Sequence, residues 1–427
     1  MKTKRVLAGV IAAAATLALV ACSGPSTPAD GKKTLTVWYM TGGLSSGTTD
    51  DITARFEKET GAKVKVEVQQ WANINTKLST ALSQSNPPDL VEIGNTDAPL
   101  FTANGALADV SGDKASLTRG QNWLPGLAGP ATFDGKLYAA PLYAGNRAVA
   151  YNKALWSAAG VTDAPTTYDE LIAGLDKVKA ANNAPDFSAF YFPGKYWYGA
   201  LQFVWDAGGG LASTSGGKST AELSSPASQK GLEQWKAFQN AYSTVASRSV
   251  STDAPDQDSI FASGKAATIL TTTAHLAIIR KANPSIEIGT FPLPSQNKPG
   301  ANQPVFLGGS VMGIAAKSPN RDLALRYLKT VTSDTVQLKN MVGRDGWEPI
   351  STQLVDKAIG SATPEQKTFF EAGKRSVPTP AVPGWATIES DASIGDFFGA
   401  IASGNKSVKD AASAMDAHLN DALNATK

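Results

Sequence analysis

Three short β-rich runs alternate with two helical ones at the start of the main body, and this pattern restricts the fold more than any other feature. Residues 35–38 read LTVW. Residues 50–60 follow with Ile52 and Phe56 four apart, and Gly61 stands where a helix would place a C-capping glycine. Next, AKVKVEV alternates Val64, Val66 and Val68 with polar residues, the period-two pattern of a strand. A helical stretch over 74–82 leads into the apolar run 90–93. Strand–helix–strand–helix–strand predicts an α/β lobe with a mainly parallel sheet.

In such sheets ligands bind beyond the carboxyl ends of the strands. The stretch PPDLVEIGNTDAPLFTANGALADV, residues 87–110, puts Asn95, Thr96 and Asp97 just past one such end, after Gly94. An ionised Asp offers two acceptor oxygens, suited to a vicinal diol, and Asn offers both a donor and an acceptor. The same residues also suit an Asx-type turn that caps the following helix.

At 427 residues the chain exceeds the size at which one hydrophobic core keeps growing, so two lobes are expected. Composition is 42% hydrophobic and 18% charged, which excludes a disordered chain and a multi-span membrane protein. Two His and a single Cys leave few ligands for zinc or copper, with a carboxylate-bound calcium or magnesium left open. No motif calls for a cofactor. The middle, residues 151–263, is richer in helical spacing and aromatics, and strands are expected again at 267–270, 286–291 and 311–315. A helix should start after Asn320, with Leu323/Tyr327 and Ala324/Leu328 at i, i+4.

The N-terminus has Lys2, Lys4 and Arg5 before an apolar run over 6–20, then Ala21-Cys22-Ser23. This is an export signal whose apolar run is too short for a comfortable transmembrane helix. Leu19-Val20-Ala21-Cys22 resembles the bacterial lipobox, in which the Cys is acylated and becomes the mature N-terminus. Residues 1–21 are therefore expected to be removed, Cys22 to carry lipid, and 22–33 to act as a Pro/Gly/Ser-rich tether at the outer face of the cell membrane. Removal of three basic and no acidic residues leaves 36 basic against 37 acidic groups, a net charge of −1. Nothing in that balance suggests nucleic-acid binding.

Successive blocks resemble the extracellular solute-binding proteins of sugar ABC importers, the maltose-binding type. They are LTVW, FEKETGAKVKVEV, the 87–110 stretch, YAGNRAVAYNKALWSAAGV, FASGKAATIL, LGGSVMGIAAKSPNRDLALRYL, PTPAVPGWATIES and AIASGNKSVKDAASAMDAHL. Their order and spacing carry the likeness, which runs from about Leu35 to Leu419. The resemblance implies a periplasmic-binding-protein type II-like fold, two α/β lobes joined by hinge segments with a ligand cleft between them. It also implies a saccharide ligand, ABC transporter permease subunits as partners, and a monomer. The lobes are expected to take residues 34–144 with 291–317, and 145–290 with 318–427.

The resemblance places Asn95, Thr96 and Asp97 at the cleft edge of the first lobe, gripping sugar hydroxyls. It makes Trp197 or Tyr198 the main aromatic of the second lobe and Trp385 a ring stacked on sugar, because saccharides present apolar C–H faces beside hydroxyl edges. Trp205 suits either the site or the core, and Trp347 either the cleft wall or the core. Arg147, near the first lobe crossing, suits hydroxyl recognition or an ion pair. Gly308, Gly309 and Ser310 begin a strand where glycines either let backbone amides approach a ligand or serve tight packing. One departure stands out: where the family has Gly-x-Trp after the strand matching 267–270, this chain has Thr271-Thr272-Thr273-Ala274-His275. A secreted glycoside hydrolase is the competing reading, since it too needs aromatic clefts, with two carboxylates roughly 5–9.5 Å apart. A receptor for a non-sugar solute such as a polyol would differ only in pocket detail.

Overall fold

The computed structural model describes residues 33–71, 73–253 and 255–425; the signal peptide, Cys22 and all but Lys33 of the tether lie outside the described residues. The opening strand–helix alternation is present as Thr34–Met40, Ser46–Thr60, Lys63–Gln69, Ile74–Ser83 and Leu90–Gly94. The first helix starts four residues earlier than its apolar spacing suggested, because the Ser45 side chain accepts from the Thr48 N–H and caps it there. It ends as expected at Gly61, whose φ of 72° is left-handed.

Strand Thr34–Met40 lies between Lys63–Gln69 and Leu90–Gly94, parallel to both. Beyond them, Gly308–Ile314 and Ala139–Gly145 complete a five-stranded sheet, with Gly308–Ile314 antiparallel to both its neighbours. Parallel strands buried on both faces read as short apolar runs, and Leu90, Val91 and Ile93 are accordingly buried. A second sheet, Thr268–Thr271, Ala148–Asn152 and Ile288–Phe291, is wholly antiparallel.

The first sheet organises one core, while the second contributes to a large core and to a smaller one with Phe261 and Phe369. The first includes Leu35, Phe56, Leu90, Leu142 and Met312. The second includes Trp156, Phe192, Trp235, Trp385 and Phe398. The expected lobe boundaries are revised by these memberships. Ala324, Tyr327, Leu328 and Val331, on one face of the helix Arg321–Val331, are buried in the first core, and so are Met341, Ile350 and Leu354. Residues 324–358 thus belong with the first lobe rather than the second. Conversely Phe291, Leu293 and Phe306 pack in the second core, and the chain returns to the first only at Leu307.

The first crossing, at residues 145–147, is tied down by a buried carboxyl. Glu348 accepts from the Asn146 backbone N–H at 2.6 Å and from its Nδ2 at 2.9 Å, while the same Nδ2 donates to the Phe369 carbonyl. Burial without a cationic partner pushes the Glu348 carboxyl up to about 8. Asn146 therefore pins the first crossing both to Glu348 and to the Phe369 carbonyl.

Candidate functional site

The carboxyl ends of the parallel strands carry the polar and aromatic side chains that face the second lobe. Past Gln69, Trp71 is 41% exposed and fixed by its Nε1 donating to the Thr41 carbonyl at 2.9 Å. Its six-membered ring lies over Gly94, where a Cβ would sit 3.6 Å from Cζ3. Past Gly94, Asp97 stands at the start of the helix Ala98–Ala103 but makes no capping bond. Instead its Oδ1 accepts from Asn75 Nδ2 at 2.9 Å. Burial raises the Asp97 carboxyl above its ordinary range, and the Asn75 bond offsets part of that rise. The capping alternative is thereby set aside, and Asp97 is held with its second oxygen uncommitted among the described residues.

Opposite stands Glu389 on the second-lobe helix Trp385–Ser390. Desolvation pushes its carboxyl up to about 7, the nearby Thr96 side chain offsets part of that rise, and the Asp97 charge adds to it. The Trp385 indole N–H approaches this carboxylate without completing a hydrogen bond. Together Trp71, Asn75 and Asp97 from one lobe and Ala386, Glu389 and Ser390 from the other line a cavity of about 410 Å³. That lies in the range of small-ligand pockets, roughly 300–1,000 Å³. A larger cavity, about 540 Å³ between Asp396, Lys406 and His418, lies on the second lobe alone and shares no residue with this cleft.

The other expected site residues divide into three groups. Tyr198 and Arg147 line a second, smaller cavity with Tyr196, Asp258 and His275 rather than the one between Trp71 and Glu389. The Arg147 guanidinium lies 4.4 Å from the Tyr198 ring centroid, and its Nε donates to Tyr196 Oη at 2.8 Å. Of the two roles open to Arg147, ion pairing is not realised among the described residues; it stacks on aromatic faces instead. Burial raises the Tyr198 hydroxyl well above the usual range, with smaller contributions from the Glu389 and Asp97 charges. Trp347, half-buried, stacks on Tyr143 at 4.4 Å and donates from Nε1 to the Gly43 carbonyl at 3.0 Å, beside Gly145. It forms a wall near the first crossing.

A second group lies just beneath the surface. Trp385 has no exposed surface and meets Trp197 edge-on at 5.9 Å; Trp197 in turn lies 3.8 Å from Tyr198. Neither indole presents a free face, so both buttress Tyr198 rather than offering a stacking surface. Trp205 packs in the second core.

A third group is structural. Asn95 is buried, and its Nδ2 donates to the carbonyls of Gly126 (3.0 Å) and Leu307 (2.8 Å), which spends both its side-chain donors on backbone. Ser310 is buried and donates to Tyr143 Oη, which donates to the buried Glu92 at 2.7 Å. Gly309 has φ +130°, and a Cβ there would fall 2.3 Å from the Tyr143 carbonyl, so the glycine is required by backbone packing. Gly308 lies near Arg147, where a Cβ would sit 3.8 Å from Nη1.

Sequence reasoning missed Trp71, Asn75 and Glu389. Trp71 had a signal, since it follows a parallel strand just as Asp97 does. Glu389 had none, because its place depends on how the second lobe faces the first.

The chain matches the family described as bacterial extracellular solute-binding protein over residues 51–368. It is 36% identical to the diacetylchitobiose binding protein DasA of Streptomyces coelicolor, over 98% of this chain and 99% of that one. In fold it is similar to the sugar-binding protein MalE from Xanthomonas citri, with a TM-score of 0.77 and 21% identity over 92% of this chain and 97% of the other. The Listeria monocytogenes maltose-binding protein MalE, in complex with maltose, gives 0.76 and 22% over 93% and 100%. These neighbours have the two-lobed type II architecture that the two cores display. With its cleft between two α/β lobes and a family match over most of its length, the chain belongs to the bacterial extracellular solute-binding proteins.

Proposed function

We propose that the cleft closes on a saccharide of two or more units and presents it to the permease subunits of an ABC importer. The observation that carries this reading is the pairing of an exposed, fixed Trp71 ring with Asp97 and Asn75 on one lobe, opposite Glu389 on the other. A pyranose needs a flat apolar face and, at its edge, groups that accept from hydroxyls. Ligand contacts from both lobes stabilise the closed arrangement, which is the usual basis of hinge closure. The relative that binds diacetylchitobiose makes that disaccharide the first to test.

A thermal-shift screen across saccharides, followed by calorimetric titration, checks the proposal. At least one saccharide should raise the melting temperature, and Asp97→Ala should weaken its binding by about 1.5–3 kcal/mol, the scale of a hydrogen bond to a charged group. The saccharide should also be recovered intact. Release of shorter sugars would favour the competing glycoside-hydrolase reading instead.

We further propose that the receptor is held at the membrane by lipid on Cys22, with 22–33 as tether. The likeness of Leu19-Val20-Ala21-Cys22 to the lipobox supports this. Cys22→Ser should release the protein from the membrane fraction or leave it unprocessed. Unchanged retention and electrophoretic mobility would contradict the anchor.

A further inference from the structure

The cavity between the lobes carries negative charge that nothing on its walls cancels. Asp97 and Glu389 face it from opposite lobes, and no other residue lining it is Lys, Arg or His. The groups that act on these carboxyls are Asn75 for Asp97, and Thr96, Asp97 and Trp385 for Glu389; none is a cation. Arg147 is engaged elsewhere, against Tyr196 and Tyr198 on the wall of the smaller cavity. Burial raises both carboxyls above their ordinary range, as expected of desolvated acids without a counter-charge.

Three of the four carboxylate oxygens are open to a ligand. Asp97 Oδ1 is held by Asn75, whereas Asp97 Oδ2 and both Glu389 oxygens complete no hydrogen bond among the described residues and keep accessible surface. Gly94 adds space beside them. Its φ is not left-handed, and a Cβ there would make only ordinary contacts, so neither the backbone nor packing requires a glycine. That Cβ would lie 3.4 Å from Asp97 Oδ2 and 3.6 Å from Trp71 Cζ3, so its absence leaves a gap between a carboxylate oxygen and an indole ring. An ammonium group favours such a place, with a charge-assisted hydrogen bond on one side and an aromatic ring on the other.

A single carboxylate suits sugar hydroxyls, but two without a cation suit them poorly. A hydroxyl donates to a carboxylate without cancelling its charge, so a neutral saccharide would leave two desolvated charges facing each other across the closed cleft. Calcium needs about six to eight oxygen ligands, and no three His, Cys, Asp or Glu side chains are grouped to hold a metal among the described residues.

Resting on the saccharide reading, we propose that the cleft selects a saccharide with a free amino group, whose ammonium seats between Asp97 and Glu389 beside the Trp71 ring. Its N–H groups donate to Asp97 Oδ2 and to Glu389 while the pyranose face covers the indole. N-acetylation removes the charge and adds bulk at the same place, so the free amine is the form that is read.

Calorimetric titration with three β-1,4 disaccharides tests this: chitobiose, which carries two free amines, N,N′-diacetylchitobiose, and cellobiose, with hydroxyls at those positions. At mildly acidic pH, where the sugar amines are charged, the wild-type protein should bind chitobiose at least about tenfold more tightly than either neutral disaccharide, the scale of one hydrogen bond to a charged group. Glu389→Gln and Asp97→Asn, which keep the shape and remove one charge each, should each bring that ratio toward one. Gly94→Ala, which puts a methyl group where the ammonium should sit, should do the same. A neutral disaccharide binding as tightly as chitobiose would overturn the proposal and leave the receptor reading standing. So would a preference for chitobiose that survives both charge-removing variants. The wild-type comparison holds whether or not the variants fold. If none of the three binds while another saccharide does, this proposal falls alone; if no saccharide binds, both readings fall.

Discussion

Trp385→Ala should destabilise the protein by about 3–5 kcal/mol, the range for removing a fully buried aromatic side chain. The ring has no exposed surface, packs edge-on against Trp197 at 5.9 Å, and belongs to the second core with Ile388 and Phe398. Its loss leaves a cavity that the surrounding rings fill only in part. Denaturant or thermal unfolding of the purified variant measures this directly. Affinity should fall less than stability, because Trp385 presents no surface to the cleft and meets it only through neighbours such as Trp197 and Glu389. An unchanged melting temperature with saccharide binding abolished would return Trp385 to the sugar-stacking role that the family resemblance implied.

Trp71→Ala should do the reverse. The ring is 41% exposed and spans a glycine, so truncation removes little packing and the melting temperature should hold. Buried aromatic anchors at binding sites commonly contribute about 2 kcal/mol or more, which corresponds to roughly thirtyfold weaker binding. Trp71→Phe should recover much of the loss, since a flat face matters more than the indole N–H given to Thr41. If closure covers this ring, saccharide should shift tryptophan fluorescence in the wild type and much less in the alanine variant. Equal affinity of the wild type and Trp71→Ala for the saccharide that stabilises the fold would remove the ring from the site.

These two tryptophans show what sequence patterns carry and what they do not. The strand at 63–69 and the apolar run at 90–93 were both legible, though the alternation behind the first holds at Val64 and Val66 and breaks at Val68, which is exposed while Gln69 is buried. The helix Arg321–Val331 was also legible, down to its apolar face, but its lobe was not. Which core receives an amphipathic helix depends on where the chain crosses, and no local pattern records that. The site behaved likewise. Asp97 was found because strand ends are predictable, while Asn95 beside it turned inward to hold the backbone carbonyls of Gly126 and Leu307. An Asn that pairs with a carbonyl 212 positions away in sequence looks the same in a sequence as one aimed at a ligand. Trp385 and Glu389, four apart on one short helix, divide the labour: one is core, the other faces the cleft.

The central claim is that a saccharide is held between the lobes, against Trp71 and Asp97 on one side and Glu389 on the other. A crystal structure of the protein with the saccharide that most raises its melting temperature tests this directly. The account predicts a sugar ring lying on the Trp71 face, with hydroxyls within hydrogen-bonding distance of Asp97 and the second lobe contacting the same molecule. Saccharide bound instead on one lobe alone, in the cavity between Asp396, Lys406 and His418, would contradict it.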